Sequence, residues 1–334
     1  MKPIFADNTT IERATTLLRQ GKLVAFPTET VYGLGADASN PEAVLQIFNV
    51  KGRPTHHPLI VHIGNANQLK FWAQKIPEDA KKLASAFWPG PLTLILNKKP
   101  HVPLAVTGGQ NTIGLRVPDH PVALALLNKF EGGIAAPSAN IYSRISPTQA
   151  SHVEEELGDN VDMILDGGAC RFGVESTIID LTDPTPKLLR PGHISIAEIE
   201  AVLGIELIVV TPNFNERKPS ENRASGMMPT HYAPTTPAAL CEHDKLEAIL
   251  NNLRNQNKRI GLLSYQFNPP ENRFMHMLCM PEQAESYAQI LYACLRDLDS
   301  RNLDIILIEQ TPETEAWRAI NDRIRKATAA LNDK

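Results

Sequence analysis

The stretch PTETVYGLG, residues 27–35, directly follows LVAF, an apolar run at residues 23–26 with the composition of a short buried strand. Where the apolar run ends, the chain changes to hydroxyl groups, a phenol and two glycines. Glycine lets backbone N–H groups approach a ligand closely, and hydroxyl groups can hydrogen-bond to ligand oxygens. Two cations, Lys51 and Arg53, come soon after. The stretch therefore predicts a pocket for something small, polar and anionic.

The composition is that of an ordinary folded protein. The chain has 334 residues, 43% hydrophobic and 21% charged, and this length favours two domains. Its net charge of −4 gives no basic excess, so we expect no stable binding to nucleic acid. No segment resembles a signal peptide or a membrane span, and the four cysteines show no paired spacing, which predicts a reduced cytoplasmic protein without membrane association.

Strand-like and helix-like segments alternate along residues 1–211, which predicts an α/β domain around a twisted sheet. The strand candidates are residues 23–26, 59–63, 92–96, 113–117, 163–165, 176–181, 187–189 and 206–210. Helices are expected after a cap at Asn8 or Thr9, after Asn40, and over 77–87, 121–130, 148–157 and 196–203.

The alternation stops at residues 212–237, where proline, asparagine, serine and glycine predict a linker or lid. Residues 238–334 then indicate a second, smaller α/β domain. Its expected elements are helices near 245–254 and 282–298, strands at 259–265 and 303–308, and a last helix ending near 331.

The usual signatures of nucleophilic catalysis and phosphate binding do not occur in the sequence. There is no G-x-S-x-G elbow, no G-x-x-x-x-G-K-[ST] and no G-x-G-x-x-G after a strand. His56, His57 and His62 are close in sequence, but His62 belongs to a strand candidate and the other two precede it. Because a metal site needs several convergent ligands, we expect none formed by protein side chains.

Several polar residues at element ends leave two interpretations open. Arg116 lies in an otherwise apolar strand, so it is either an edge-strand residue facing water or a buried guanidinium that pairs with a carboxylate or phosphate. Arg190 has the same ambiguity. The segment containing Ser138 and Asn140 is either a simple turn or a small-residue wall that a ligand can approach.

Taken together and in order, these motifs resemble the YrdC-like domain of L-threonylcarbamoyladenylate synthases over nearly all of residues 1–205. The motifs are PTETVYGLG (27–35), KGRP (51–54), PLIVHI (58–63), PGPLT (89–93), RVP (116–118), PSAN (137–140), SPT (146–148), DGG (166–168), GVEST (173–177) and LRPG (189–192). Residues 226–227 and HYAP at 231–234, followed by the small α/β unit, resemble the long two-domain form of this family.

The resemblance implies an open, twisted YrdC-like sheet with a concave, electropositive cavity, plus a Rossmann-like second domain. It implies a nucleotidyltransferase that converts L-threonine, bicarbonate or CO2, and ATP into threonylcarbamoyl-AMP and pyrophosphate. Mg2+ would arrive with ATP, and the product would pass to a tRNA threonylcarbamoyl transferase for threonylcarbamoyladenosine modification of tRNA. The alternative is a double-stranded RNA- or ribosome-binding YrdC-like module, against which the acidic net charge argues.

The resemblance also assigns residues. The positions it implies for L-threonine are Thr30, His62, Arg116, Ala136 and Ser176. Those for ATP are Lys51, Arg53, His57, Thr112, Ser138, Asn140, Ser146, Arg190 and, in the linker, Tyr232; Lys51 and Arg53 are the expected catalytic cations. The chain departs from the family pattern at His57, where asparagine is common, at 142–144, which replace a glycine-containing turn, and at 228–230, where basic residues are common.

Overall fold

The computed structural model describes residues 1–210, 224, 226, 228, 231–269 and 274–332. The chain divides into two compact units. Unit 1 comprises Met1–Tyr142 and Ser146–Met227, and unit 2 comprises Ser143–Ile145 and Met228–Lys334. Most of the predicted linker at 212–237 lies outside the described residues, so the domain limits drawn from the sequence stay a prediction.

Unit 1 is built on one mixed sheet. In spatial order its described strands run β1-β8-β2-β3-β7-β4-β6-β5-β9-β10-β11. The strands are β1 (Ile4–Phe5), β2 (Val24–Phe26), β3 (Gly33–Asp37), β4 (Ile60–His62), β5 (Leu92–Asn97), β6 (Thr112–Arg116), β7 (Ile134–Ala135), β8 (Met163–Asp166), β9 (Thr177–Asp180), β10 (Lys187–Arg190) and β11 (Ile208–Val209). Parallel and antiparallel pairs alternate irregularly, and the sheet is open.

Helices cover both faces of this sheet. They are α1 (Asn8–Arg19), α2 (Pro41–Lys51), α3 (Leu69–Trp72), α4 (Glu78–Phe87), α5 (Leu104–Thr107), α6 (Pro121–Phe130), α7 (Ala150–Leu157) and α8 (Ile196–Leu203). Strand β2 shows the two faces directly: Ala25 packs in one apolar cluster, whereas Val24 and Phe26 pack in the other. The sheet is therefore buried on both sides, as its apolar strands predict.

Two local expectations need correction. Helix α1 is capped by Asp7, not by Asn8 or Thr9, because Asp7 and Thr10 bond reciprocally to each other's backbone N–H at 2.8 Å. The glycines of the opening stretch, which were expected to let backbone N–H groups approach a ligand, lie in strand β3. A Cβ at Gly35 would lie 2.8 Å from both Phe26 and Ile134, so packing within the sheet, not approach of a ligand, requires glycine there.

The other predicted elements of unit 1 are confirmed to within two residues at each boundary. Strands β1, β3 and β7 were not expected. Strands β1 and β7 are only two residues long, which is too short to show a strand pattern in the sequence. Strand β3 contains two glycines, so it lacks the apolar pattern by which a strand is recognised.

Unit 2 contains a four-stranded parallel sheet in the order β12-β15-β13-β14. Its strands are β12 (Ala238–Cys241), β13 (Ile260–Ser264), β14 (Met275–Cys279) and β15 (Ile305–Glu309), and its helices are α9 (Leu246–Asn255), α10 (Ala284–Asp299) and α11 (Arg318–Asn332). The fold class is the predicted one, with β12 and β14 in addition. Among the described helices of the chain, none combines the length and apolar character needed to span a bilayer.

Candidate active site

Three loops of unit 1 are joined by backbone hydrogen bonds, and they carry many of the predicted site residues. The loop between β2 and β3 supplies Thr30 and Tyr32. The N–H of Tyr32 donates to Pro147 O at 2.8 Å, and the carbonyl of Tyr32 accepts from the N–H of Ala139 at 2.8 Å. The segments around 138 and 147 are therefore held against the opening stretch, although they are more than one hundred residues away in sequence.

Strands β4 and β6 end side by side and place two predicted threonine contacts together. His62 and Arg116 are register partners in this parallel pair, and each side chain is about 95% buried. Arg116 is therefore the buried guanidinium and not the edge-strand residue. Its Nη2 lies 2.7 Å from Oε1 of Glu29, which is 1% exposed. The carboxylate partner that the sequence left undefined is thus supplied by the chain itself.

Burial determines the protonation state of His62. Removal from water lowers its pKa to about 3, and the neighbouring charge of Arg116 acts in the same direction. The ring is neutral at physiological pH, and its Nδ1 has no hydrogen-bond partner among the described residues. A neutral imidazole can accept or donate a hydrogen bond, which suits contact with a hydroxyl group of a ligand.

Ser176 connects β5, β9 and β10. Its hydroxyl lies 2.8 Å from the hydroxyl of Thr93, and Arg190 donates to it at 3.1 Å and to the Ser176 carbonyl at 3.0 Å. Ser176 is a predicted threonine contact and Arg190 a predicted ATP contact. The two predicted subsites therefore meet at this serine.

The remaining two predicted threonine contacts lie in the same region. The Thr30 hydroxyl is 2.9 Å from that of Thr28, whose oxygen also accepts backbone N–H groups of the turn. Ala136 directly follows β7, and its N–H donates to Ile60 O at 2.9 Å. Both residues are buried, so the local backbone positions are fixed before a ligand binds.

Lys51 ends helix α2 and is buried. Its ammonium donates to the carbonyl of Ser138 at 2.6 Å and to the carbonyl of Asn140. Burial lowers its pKa well below the usual value for lysine, and the charge of Arg53 lowers it further. In this structure Lys51 therefore holds the 138–140 loop by its backbone, which is an orienting role that the sequence did not indicate.

Arg53 and His57 share an aromatic neighbour. The guanidinium of Arg53 donates to Pro58 O at 3.0 Å and lies 5.6 Å from the ring centroid of Tyr142, a cation–π distance. The Tyr142 hydroxyl is 3.4 Å from Nδ1 of His57. The two departures from the family pattern, at 57 and at 142, are thus in contact with each other.

Ser146 and Thr112 complete the predicted set within unit 1. Ser146 donates to the carboxylate of Glu175 at 2.5 Å, and both side chains are buried. Thr112 is buried at the start of β6, at the opposite end of that strand from Arg116. Sequence reasoning gave Glu29, Thr93 and Glu175 no role, although each lies inside a quoted motif, because composition alone does not show which carboxylate is buried.

Tyr232 belongs to unit 2 and is buried within it. Its ring stacks on Tyr292 with centroids 5.9 Å apart, and the guanidinium of Arg323 lies 5.1 Å from its centroid. The residue has a positive φ of 61°, which a tyrosine adopts only when its surroundings enforce it. Residues 228–230, where the chain departs from the basic residues common in the family, lie mostly outside the described residues.

Comparison with known proteins identifies the family. Residues 16–192 match the family described as Telomere recombination, and residues 194–329 match the Threonylcarbamoyl-AMP synthase C-terminal domain. A threonylcarbamoyl-AMP synthase of Pyrococcus abyssi is 42% identical over 324 residues, covering 95% of this chain and 94% of its own length. The chain belongs to the threonylcarbamoyl-AMP synthase family.

Two further matches agree with this assignment. The threonylcarbamoyl-AMP synthase of Bacillus subtilis is 42% identical over 323 residues, covering 95% of this chain and 92% of its own length. A solved structure of Pyrococcus abyssi Sua5 complexed with L-threonine matches with a TM-score of 0.90 at 40% identity, covering 98% of this chain and 96% of that one. The chain is thus an enzyme of nucleotidyltransferase type, and the RNA-binding alternative is not favoured.

As a member of the threonylcarbamoyl-AMP synthase family, the chain needs groups that neutralise and orient anions more than it needs a nucleophile. The buried cations Lys51, Arg53, Arg116 and Arg190 meet this requirement in chemical type. Cys170 does not offer a nucleophile at neutral pH, because burial raises the pKa of its thiol and the nearby charge of Glu29 raises it further. Which ligand atoms each residue contacts stays a prediction.

Proposed function

We propose that this chain makes threonylcarbamoyl-AMP and pyrophosphate from L-threonine, bicarbonate or CO2, and ATP, for the threonylcarbamoyladenosine modification of tRNA. The observation that carries the proposal is the match in family and length together with a buried group of cations and hydroxyls at adjoining strand ends of unit 1. The expected cytoplasmic location belongs to the same proposal, since the product is consumed on tRNA.

The proposed reaction has two steps and needs no covalent enzyme intermediate. The threonine amine attacks CO2 to form a carbamate, and a carbamate oxygen then attacks the α-phosphate of ATP, releasing pyrophosphate. The enzyme's task is to position three charged groups and to neutralise them. Arg116 would hold the threonine carboxylate, and neutral His62 would face the threonine hydroxyl.

On the ATP side, we assign the phosphates to Arg53 and Arg190, with Ser138, Asn140 and Ser146 around the nucleotide. Lys51 would then act by fixing the 138–140 loop, since its ammonium donates to two carbonyls of that loop. Mg2+ would enter as the MgATP complex, because magnesium prefers phosphate oxygens and water as ligands. His57, Thr112 and Tyr232 remain proposed contacts, and a tRNA threonylcarbamoyl transferase is the proposed consumer of the product.

A substrate-omission assay tests the proposal. Pyrophosphate release from MgATP by the full chain is expected only when L-threonine and bicarbonate are both present, and mass spectrometry should detect threonylcarbamoyl-AMP. Omission of threonine is the control for simple ATP hydrolysis. Release that is independent of threonine would contradict the proposal, as would release without the adenylate product.

A further inference from the structure

The buried carboxylate of Glu29 has hydrogen-bonding capacity that the protein does not use. Arg116 approaches its Oε1 at 2.7 Å, but the contact is not aligned as a hydrogen bond. Among the described residues, neither Glu29 oxygen accepts a hydrogen bond, and Nε and Nη2 of Arg116 donate none. A buried charge that lacks hydrogen bonds is costly, so a group that supplies them to both partners would bind favourably.

The position of Glu29 is fixed by its backbone. The Glu29 carbonyl accepts from the N–H of Phe172 at 2.8 Å, and the hydroxyl of Thr28 closes the turn by accepting from the N–H groups of Thr30 and Val31, both at 3.2 Å. The backbone that carries this carboxylate is therefore held in place, and the carboxylate itself lies 2.7 Å from Arg116 at the end of β6. A preorganised charge of this kind loses little entropy when a ligand binds.

Among the residues that the structure describes, titratable groups face Glu29 from three segments of unit 1. Arg116 ends β6, His120 precedes α6, and Cys170 lies in the loop before β9. Burial lowers the pKa of His120, although the charge of Glu29 opposes this shift. Burial raises the pKa of the Cys170 thiol, and Glu29 adds to the shift. Both groups are thus neutral near pH 7, which leaves Arg116 as the charged partner of Glu29.

A buried, adjoining carboxylate and guanidinium complement a free α-amino acid, which carries an ammonium beside a carboxylate. Building on the proposed function, we propose that Glu29 binds the α-ammonium group of L-threonine while Arg116 binds its α-carboxylate. Glu29 then accepts the proton that the ammonium must lose before the amine attacks CO2. Glu29 is accordingly a catalytic residue of the first step and a determinant of specificity for amino acids.

The proton balance of this step requires such an acceptor. With CO2 as the source, the ammonium of threonine gives one proton to the Glu29 carboxylate, and the nitrogen lone pair forms a bond to the carbon of CO2 as one C–O π bond breaks. The second proton leaves the nitrogen for solvent water as the carbamate forms. With bicarbonate as the source, threonine ammonium and bicarbonate yield carbamate, water and one proton, and Glu29 receives that proton. A positioned carboxylate is a suitable general base when the acid is held against it.

The experiment compares L-threonine with two analogues that each lack one charge, using calorimetry on the full chain. The first, 2,3-dihydroxybutyrate, lacks the ammonium, and the second, threoninol, lacks the carboxylate. Wild type should prefer threonine over each by about 30-fold or more, since each analogue leaves one buried charge unpaired. Glu29→Gln should lose the preference over 2,3-dihydroxybutyrate, and Arg116→Ala should lose the preference over threoninol.

Two further variants separate this role from a structural one. Glu175→Gln is the matched control, because Glu175 is also a buried glutamate but pairs with Ser146 on the proposed ATP side. It should change the KM for ATP and leave the threonine preference intact. Glu29→Asp retains a carboxylate and should restore part of the preference. Because a ratio of two ligands is measured on each variant, altered stability alone does not produce the expected pattern.

The pH profile gives an independent readout. In Glu29→Gln, kcat/KM for threonine should rise about tenfold per pH unit between about pH 7 and 8.5, because only amine already deprotonated in solution can react. Wild type should be much flatter over that range. The inference is overturned if Glu29→Gln keeps the threonine preference, or if it weakens threonine and 2,3-dihydroxybutyrate equally. Failure of the proposed function is recognised separately, as wild-type pyrophosphate release that ignores threonine.

Discussion

His62 illustrates, at the scale of single residues, how burial sets a side chain's state before substrate arrives. The imidazole is buried, and it packs edge-on to the ring of Phe26 with the two ring centroids 6.1 Å apart. Its pKa is about 3. In the unfolded chain the same ring has an ordinary pKa of 6.5. Between these values the unfolded chain binds a proton that the folded protein does not, so the contribution of His62 to stability is complete above pH 6.5 and is lost as pH falls towards 3.

Replacement of His62 by glutamine should remove this pH dependence. Below pH 6.5 the free energy of unfolding should fall with decreasing pH more steeply for the wild type than for His62→Gln. The difference between the two slopes should reach up to about 1.4 kcal/mol per pH unit. Urea unfolding measured at several values between pH 7 and pH 4.5 gives the two slopes. His101→Gln, at an exposed histidine, is the control and should follow the wild type. Equal slopes for wild type and His62→Gln would show that the ring is not held neutral by burial.

At the scale of elements, unit 2 shows a carboxylate that organises a loop at the end of a parallel sheet. Glu309 ends β15 and accepts N–H groups of Tyr265, Gln266 and Phe267 at 2.6, 2.9 and 2.9 Å, immediately after β13. His243, after β12, lies 2.6 Å from its other oxygen. The carboxylate thus occupies a cradle of backbone N–H groups of the kind that binds anions in other α/β proteins.

Glu309→Gln should destabilise unit 2, because it removes the charge with almost no change in side-chain volume. Burial would raise the pKa of Glu309, but the hydrogen bonds from His243, Phe267, Gln266 and Tyr265 outweigh it and keep the pKa below 4.5. The stabilisation is therefore present above pH 4.5 and is lost as pH falls through the lowered pKa. We expect the free energy of unfolding of Glu309→Gln to be about 2–4 kcal/mol lower than that of the wild type at pH 7, as measured by denaturant unfolding. This difference should become smaller below pH 4.5.

A matched control is the exposed carboxylate of Glu313, which pairs with Arg325 at the surface. Glu313→Gln should change the free energy of unfolding by less than about 1 kcal/mol, because water screens exposed ion pairs. If both variants behave alike at pH 7, the cradle does not depend on the charge of Glu309.

At the scale of the whole molecule, each compact unit is formed by two separate segments of the chain. Residues Ser143–Ile145 precede the predicted ATP contact Ser146 in sequence but group with unit 2. Within unit 2, Arg144 lies 3.3 Å from Asp299, and the Ser143 carbonyl accepts from the N–H of Ala233 at 3.0 Å. A cut in the linker would remove these partners of the 143–145 segment.

Truncation after residue 211 should leave unit 1 folded, since the large apolar clusters on the two faces of its sheet lie wholly before that residue. Threonine binding should persist, because the residues proposed for it lie in unit 1. Turnover should fall about tenfold or more, because the truncation removes the linker or lid predicted from the sequence, with Tyr232. Circular dichroism, calorimetry and pyrophosphate release measure the three properties.

The full chain with Arg144→Ala is the companion to the truncation, because it removes the contact with Asp299 and keeps the second unit. A smaller loss of turnover than in the truncated chain is expected. Unchanged turnover of the truncated chain would mean that residues beyond 211 do not take part in the reaction.

The amino-acid sequence was sufficient to predict the α/β class, most helix and strand positions, and the family, because apolar periodicity and ordered motifs are local properties of the chain. It also placed Arg116 in an apolar strand, but it could not tell burial from exposure. The folded protein shows that Arg116 is buried. Folding brings Glu29 to Arg116, Ser176 to Arg190 and Lys51 to the 138–140 loop, through contacts between residues that are 14 to 87 positions apart in sequence. Charges of this kind acquire their partners only when the chain folds and removes them from water, which no local pattern records.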